Sequence, residues 1–145
     1  MKRWAWLLVL AAGCTEPPKT GQMVQTVSGL AHLHSWDPTT QGRGQYAYDA
    51  VMGWGSEIVP TLVATITDET PTAIHDELSG RTVPVGDVCF IMALQISGHR
   101  WEEFFDDGVF VSTALDNPIF CIRWKDRASR FRVQSRFLSL LPPPE

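Results

Sequence analysis

Long apolar stretches are missing from this 145-residue chain. The longest uncharged apolar run, Trp4 to Ala12, has nine residues, less than half of the roughly 20 that a bilayer-crossing helix needs. A lasting helical span is excluded for it. Cysteine is sparse, with three residues, too few for the dense cross-linking that small coreless secreted domains depend on. Positive charge falls short of negative, 12 Lys and Arg against 16 Asp and Glu for a net −4. Without a basic excess, nucleic acid is a poor partner. Period-two alternation is scarce, its best window being Val109 to Val111, which argues against a strand-built domain. Phosphate-cradling glycines are lacking as well: Gly42-Arg43-Gly44 has neither a third glycine nor a preceding strand.

What the chain does carry is an address. Lys2 and Arg3 form a short basic region, the apolar run follows, and small residues close it; this is a signal-peptide layout. Leu10-Ala11-Ala12-Gly13-Cys14 resembles a bacterial lipobox, in which small residues precede a cysteine that is lipidated before the signal is cleaved. Ala11 stands where leucine is commonest, three places before the cysteine, and Leu10 lies one place further back. The resemblance implies that residues 1–13 are removed and that Cys14 becomes a lipidated first residue. It places the protein in the bacterial cell envelope, anchored to a membrane and facing the periplasm or the exterior. Thr15, rather than Asp, follows the cysteine and resembles an outer-membrane sorting signal. One acyl chain binds a membrane only marginally, at about 0.8 kcal/mol per buried methylene, whereas the several chains implied here hold firmly. The alternatives are an ordinary secretory signal cleaved near Gly13, with Cys14 a stray thiol, and a buried first helix. Residues 14–22 are polar and proline-bearing and read as a flexible tether.

Cleavage leaves 132 residues and a net charge of −6, because Lys2 and Arg3 depart with the signal. That length suits one domain, residues 23–145. Residues 23–40 show weak periodicity. In "QGRGQYAYDAVMGWG", Tyr46, Ala50 and Val51 share a helical face before Gly53 and Gly55. Ser56 is an N-cap candidate for a second helix carrying Ile58, Leu62, Val63 and Ile66, with Pro60 tolerable near its start. Thr67 to Thr82 reads as a long polar loop. Pro84 suits a first helical position, and Val85, Val88, Cys89, Met92 and Ile96 form a stripe that stops at Gly98. A short helix around Trp101 to Phe105, an extended Val109 to Val111, and a helical turn at Asn117-Pro118 follow. Asp126 caps a last helix with Ala128, Phe131, Ser135, Leu138 and Leu141 on one face. The predicted fold is all-α, a small irregular helical bundle.

The succession "AYDAVMGWGSEIVPTLVATITDET" resembles a HEAT-like helical hairpin at Gly53, Gly55, Ile58, Val59, Pro60, Leu62, Val63 and Asp68, and "VGDVCFIMALQISG" resembles the next helix of such a stack. Since modules of that kind act through stacked helix surfaces, the resemblance implies an interaction role with additional C-terminal helices completing the bundle.

Catalytic readings find little footing. Cys89 and Cys121 are the two thiols left for a disulfide in an oxidising compartment, yet both sit among apolar residues, where cysteine serves as a small core hydrophobe. His32 and His34 could share a side of an extended segment and hold a metal, but a third ligand would have to come from His75, Asp76 or His99. Ser56 lacks the small residue two places on that a nucleophile elbow needs. Glu102, Glu103, Asp106 and Asp107 precede a basic segment in which Arg123, Arg127, Arg130 and Arg136 can line a helix flank. That flank either pairs with the acids or docks a partner. The expected function is a membrane-anchored, non-enzymatic helical interaction module with an envelope protein partner, immunity or inhibitor proteins being one form. A small envelope enzyme or metal-binding lipoprotein using dispersed His and carboxylates is the alternative. No cofactor is implied.

Overall fold

A computed structural model describes residues 19–35, 42–76, 80–111 and 122–143. The signal segment, Cys14, the Asn117-Pro118 turn and Cys121 lie outside the described residues. Helix α1 (Lys19–Ser28) runs into a 3-10 turn at Gly29–His32. Lys19 to Gln22, expected to belong to the flexible tether, are helical instead. Helix α2 (Arg43–Trp54) returns antiparallel to α1, with Trp54 at its end beside Lys19 and Ala47 near its start beside Gly29. The start of α2 lies so close to the chain leaving the 3-10 turn that a Cβ on Gly44 would stand 2.2 Å from the Leu33 backbone, so glycine there is a packing requirement. Val51 of α2 is buried, but Tyr46 and Ala50, expected beside it, face solvent.

After a 3-10 turn at Gly55–Ile58 comes the short helix α3 (Val59–Ala64). Ser56 does not cap it: Ile58 stands at the N-cap position without a side-chain hydrogen bond, and Pro60 lies in the first turn, where its missing N–H costs nothing. Ile58, Leu62, Val63 and Ile66 are all fully buried, on the expected side.

The all-α expectation needs correction, because the protein is mostly helical but carries, among the described residues, two small antiparallel sheets of two strands each. Strand β1 (Pro71–Asp76) falls inside the segment read as a polar loop, and β2 (Arg81–Pro84) begins in it and runs two residues past its end. Thr72 and Ile74 point inward and their neighbours outward, so the alternation exists but half of it is threonine. The Thr72 hydroxyl donates to the Val83 carbonyl at 2.7 Å and accepts from the Ile74 N–H at 3.1 Å, which is how a polar side chain lies buried without penalty. The second pair joins β3 (Val109–Val111), the one expected extended run, to β4 (Ile122–Trp124), with Phe110 opposite Arg123.

Helix α4 (Val85–Ser97) is the axis of the core. It ends at Gly98 as expected, while Pro84 is its extended N-cap rather than its first residue. Every residue from Val85 to Leu94 is buried, so the helix is enclosed all round instead of presenting one stripe, and Ile96 is only half-buried. Burying a side chain such as Phe90, Ile91, Met92 or Leu94 contributes about 1.5–3 kcal/mol each. A 3-10 helix at Trp101–Asp107 precedes β3, and helix α5 (Arg127–Leu140) closes the structure against it, α3 and the β3–β4 pair.

Helix α5 is capped by Asp126 as the sequence suggests: its carboxylate accepts from the Ser129 N–H at 2.8 Å, and the Ser129 hydroxyl accepts from the Asp126 N–H at 3.2 Å. The face it buries is the opposite of the one expected. Ser129, Arg130, Val133 and Phe137 go inward, while Ala128, Phe131, Ser135 and Leu138 face out and Leu141 is half-buried. The cause is a charge already waiting in the core.

Candidate functional site

That charge is Asp87, in the first turn of α4, where a helix N-terminus favours a carboxylate. Its Oδ1 accepts from Arg130 Nη2 at 2.6 Å and from Trp124 Nε1 at 2.9 Å. The Asp87 and Arg130 side chains are only 3% and 8% exposed. Arg130 spends its other terminal nitrogen, Nη1, on the Ile66 carbonyl at 3.0 Å, and its guanidinium lies 4.5 Å from the centre of the Trp124 ring. Gly86 makes the approach feasible: a Cβ there would lie 2.2 Å from the Ile66 oxygen and 2.9 Å from Arg130 Nη1. Burial pushes the Asp87 carboxyl above the ordinary carboxylate range, against the opposing pull of Arg130, the Trp124 hydrogen bond and the charge of Arg81.

A second set of contacts extends the seam. Gln134 Nε2 donates to the Val63 and Ala64 carbonyls at 3.1 and 2.8 Å. It thereby adds hydrogen bonds to the carbonyls at the end of α3, and Arg130, on the Ile66 carbonyl just beyond, brings a cation to the negative end of that helix. Beyond this polar seam runs a row of rings: Trp124 against Phe90, Phe90 against Phe104, Phe104 stacked on Phe137 at 4.9 Å, and Phe137 against His99.

The expected arginine flank is thereby divided. Arg130 is interior. Arg127 pairs with Glu69 at 3.3 Å and Arg136 Nε with Asp107 Oδ2 at 3.4 Å, while Arg123 donates to the Ile122 carbonyl. Of the acidic stretch, Asp107 forms the ion pair with the basic helix, while Glu102 pairs with Arg100 and Glu103 with His99. What α5 offers to solvent is Phe131 and Leu138 flanked by Arg127, Arg132 and Arg136. A shallow depression of about 520 Å³ lies along it, lined by Asp107, Phe131, Arg132 and Arg136 among others.

Cys89 is a free thiol, fully buried on α4; burial, with Asp68 and Asp87 adding their negative charge, pushes it far up from its ordinary pKa and leaves it no thiolate character. Among the described residues, His32, His34, His75 and His99 do not gather with other ligands into a group of three or more that could hold a metal. No described helix is long and apolar enough to cross a membrane. The sequence reading missed Asp87. The signal was there, since an aspartate inside "VPVGDVCFIMAL" has to be buried with a partner if that helix is central. The chain matches no protein-family profile, no curated protein and no solved structure.

Proposed function

We propose that this chain is a lipid-anchored lipoprotein of the bacterial envelope whose folded body is a non-enzymatic protein-interaction module. The observation that carries the reading is the Leu10-Ala11-Ala12-Gly13-Cys14 motif closing a nine-residue apolar run behind Lys2 and Arg3. Two features support it. The charged groups of the interior, Asp87 and Arg130, are consumed in holding α4, α3 and α5 together. The outward face of α5 sets Phe131 and Leu138 among arginines, and arginine with aromatic residues is the composition enriched at protein interfaces. The α2–α3 hairpin is read as a HEAT-like unit within that body, and an immunity or inhibitor role as one specific form of the function, in the outer membrane.

Two measurements test this. Replacing Cys14 with serine releases the protein from membranes and removes the acyl mass from its N-terminus; retention of the variant in the membrane fraction overturns the anchor. Crosslinking in native membranes followed by mass spectrometry identifies the partner, and Phe131→Glu removes that crosslink while the melting temperature holds. An unchanged crosslink overturns the assignment of this face.

A further inference from the structure

The start of α1 is joined to Cys14 by a short stretch of chain. Cys14 and Lys19 are five residues apart, and an extended chain spans at most about 3.6 Å per residue, so their Cα atoms are separated by no more than roughly 18 Å. Because α1 and α2 are antiparallel, the end of the hairpin that holds Lys19 also holds the C-terminus of α2. At the opposite end a Cβ on Gly29 would lie 2.9 Å from that of Ala47. At this end Lys19 Nζ stands 5.8 Å from the Trp54 ring and pairs with Glu57. Met52 is 40% exposed and Trp54 half-buried.

We infer that this end, comprising Lys19, Met52, Trp54 and Glu57, rests on the headgroup layer of the bilayer that holds the Cys14 lipid. The inference rests on the anchoring reading above. Tryptophan settles at membrane interfaces because its ring is apolar and its N–H polar, and an exposed methionine adds an adaptable apolar contact beside it. Lys19 and Glu57 cancel one another, so the contact requires no anionic lipid. The basic helix is not drawn to the membrane in its place: Arg127, Arg132 and Arg136 face Glu69, Asp126 and Asp107. Helix α5 packs on α3, β3, β4 and the 101–107 turn, which leaves its outward face available to a protein partner.

The test uses the mature, acylated protein in phosphatidylcholine vesicles. Nitroxide labels are placed at Met52→Cys or at Leu138→Cys in a Cys121→Ser background, and collisions with oxygen and with an aqueous nickel chelate are compared by electron paramagnetic resonance. The oxygen-to-nickel accessibility ratio is several-fold higher at position 52 than at 138 and is unchanged in high salt. Equal, water-like ratios at both positions overturn the inference while leaving the anchor intact. A label at 52 shielded from both reagents means that protein covers this end, and also overturns it. Intact mass without acyl groups on Cys14 overturns the anchoring reading and this inference with it.

Discussion

Arg130 and Asp87, 43 residues apart in sequence, form a buried ion pair at 2.6 Å that joins the last helix to the central one. Neither charge has water to fall back on, so removing either partner strands the other. Arg130→Met and Asp87→Asn are each expected to cost about 3–5 kcal/mol, while the double variant Asp87→Asn with Arg130→Met costs clearly less than their sum, because no isolated charge remains. Urea denaturation of the four proteins as a double-mutant cycle checks this. Arg127→Glu, at a pair more than half exposed, changes stability by no more than about 1 kcal/mol.

The two phenylalanines of α5 provide a direct test of its orientation. Phe137 is fully buried and Phe131 is 56% exposed. Phe137→Ala is expected to cost about 3–5 kcal/mol, and Phe131→Ala about 0.5 kcal/mol or less. Equal losses in denaturation midpoints would show that the helix is rotated from the position described.

Gly86 predicts a loss from adding a single carbon. Its Cβ would collide with the Ile66 carbonyl, an atom that cannot swing aside, so Gly86→Ala is expected to destabilise by about 1–3 kcal/mol through overpacking. Alanine at an ordinary helical glycine stabilises instead, so a raised melting temperature would refute the close approach.

Two carboxylates give the stability opposite pH dependences. Burial raises the Asp87 pKa in the folded state, so its contribution is fully present below the unfolded carboxylate range and is lost as pH rises through the folded value. The hydrogen bond from Ser129, aided by Arg132, lowers that of Asp126; its contribution is present above the unfolded range and lost as pH falls through the folded value. Subtracting the stability of Asp87→Asn from that of the parent therefore gives a difference that falls as pH rises through the acid range. The same subtraction for Asp126→Asn gives one that grows. Urea melts from about pH 3 to about pH 7 measure both slopes.

Much of the helical framework was legible because its signals are local. Gly98, the Asp126 cap, the apolar positions around Leu62 and the axis at Met92 each follow from spacing and capping chemistry within a few residues. The β1–β2 hairpin was not, since Thr72 counts as polar in any window and becomes an interior residue only through the Val83 carbonyl across the ribbon. The face of α5 was misjudged for a related reason. Phe131 and Leu138 look like core positions and Arg130 like a surface one, until Asp87, far upstream, makes the arginine the residue that has to go inside. Half of the candidate site is thus a tertiary decision, written in two segments that only folding brings together.

The seam between α3 and α5 has a consequence for the order in which the molecule can be completed. Gln134 and Arg130 reach carbonyls 64 to 71 positions earlier in the chain, and Phe137 closes a ring stack begun by Phe90 and Phe104. Contacts of such separation form late, after the entropy of closing the intervening loop has been met. A chain still emerging from a ribosome or a translocation channel therefore carries an uncovered aromatic row and an unanswered Asp87 until its last helix arrives. That unfinished interval is when holding by a chaperone has most to protect.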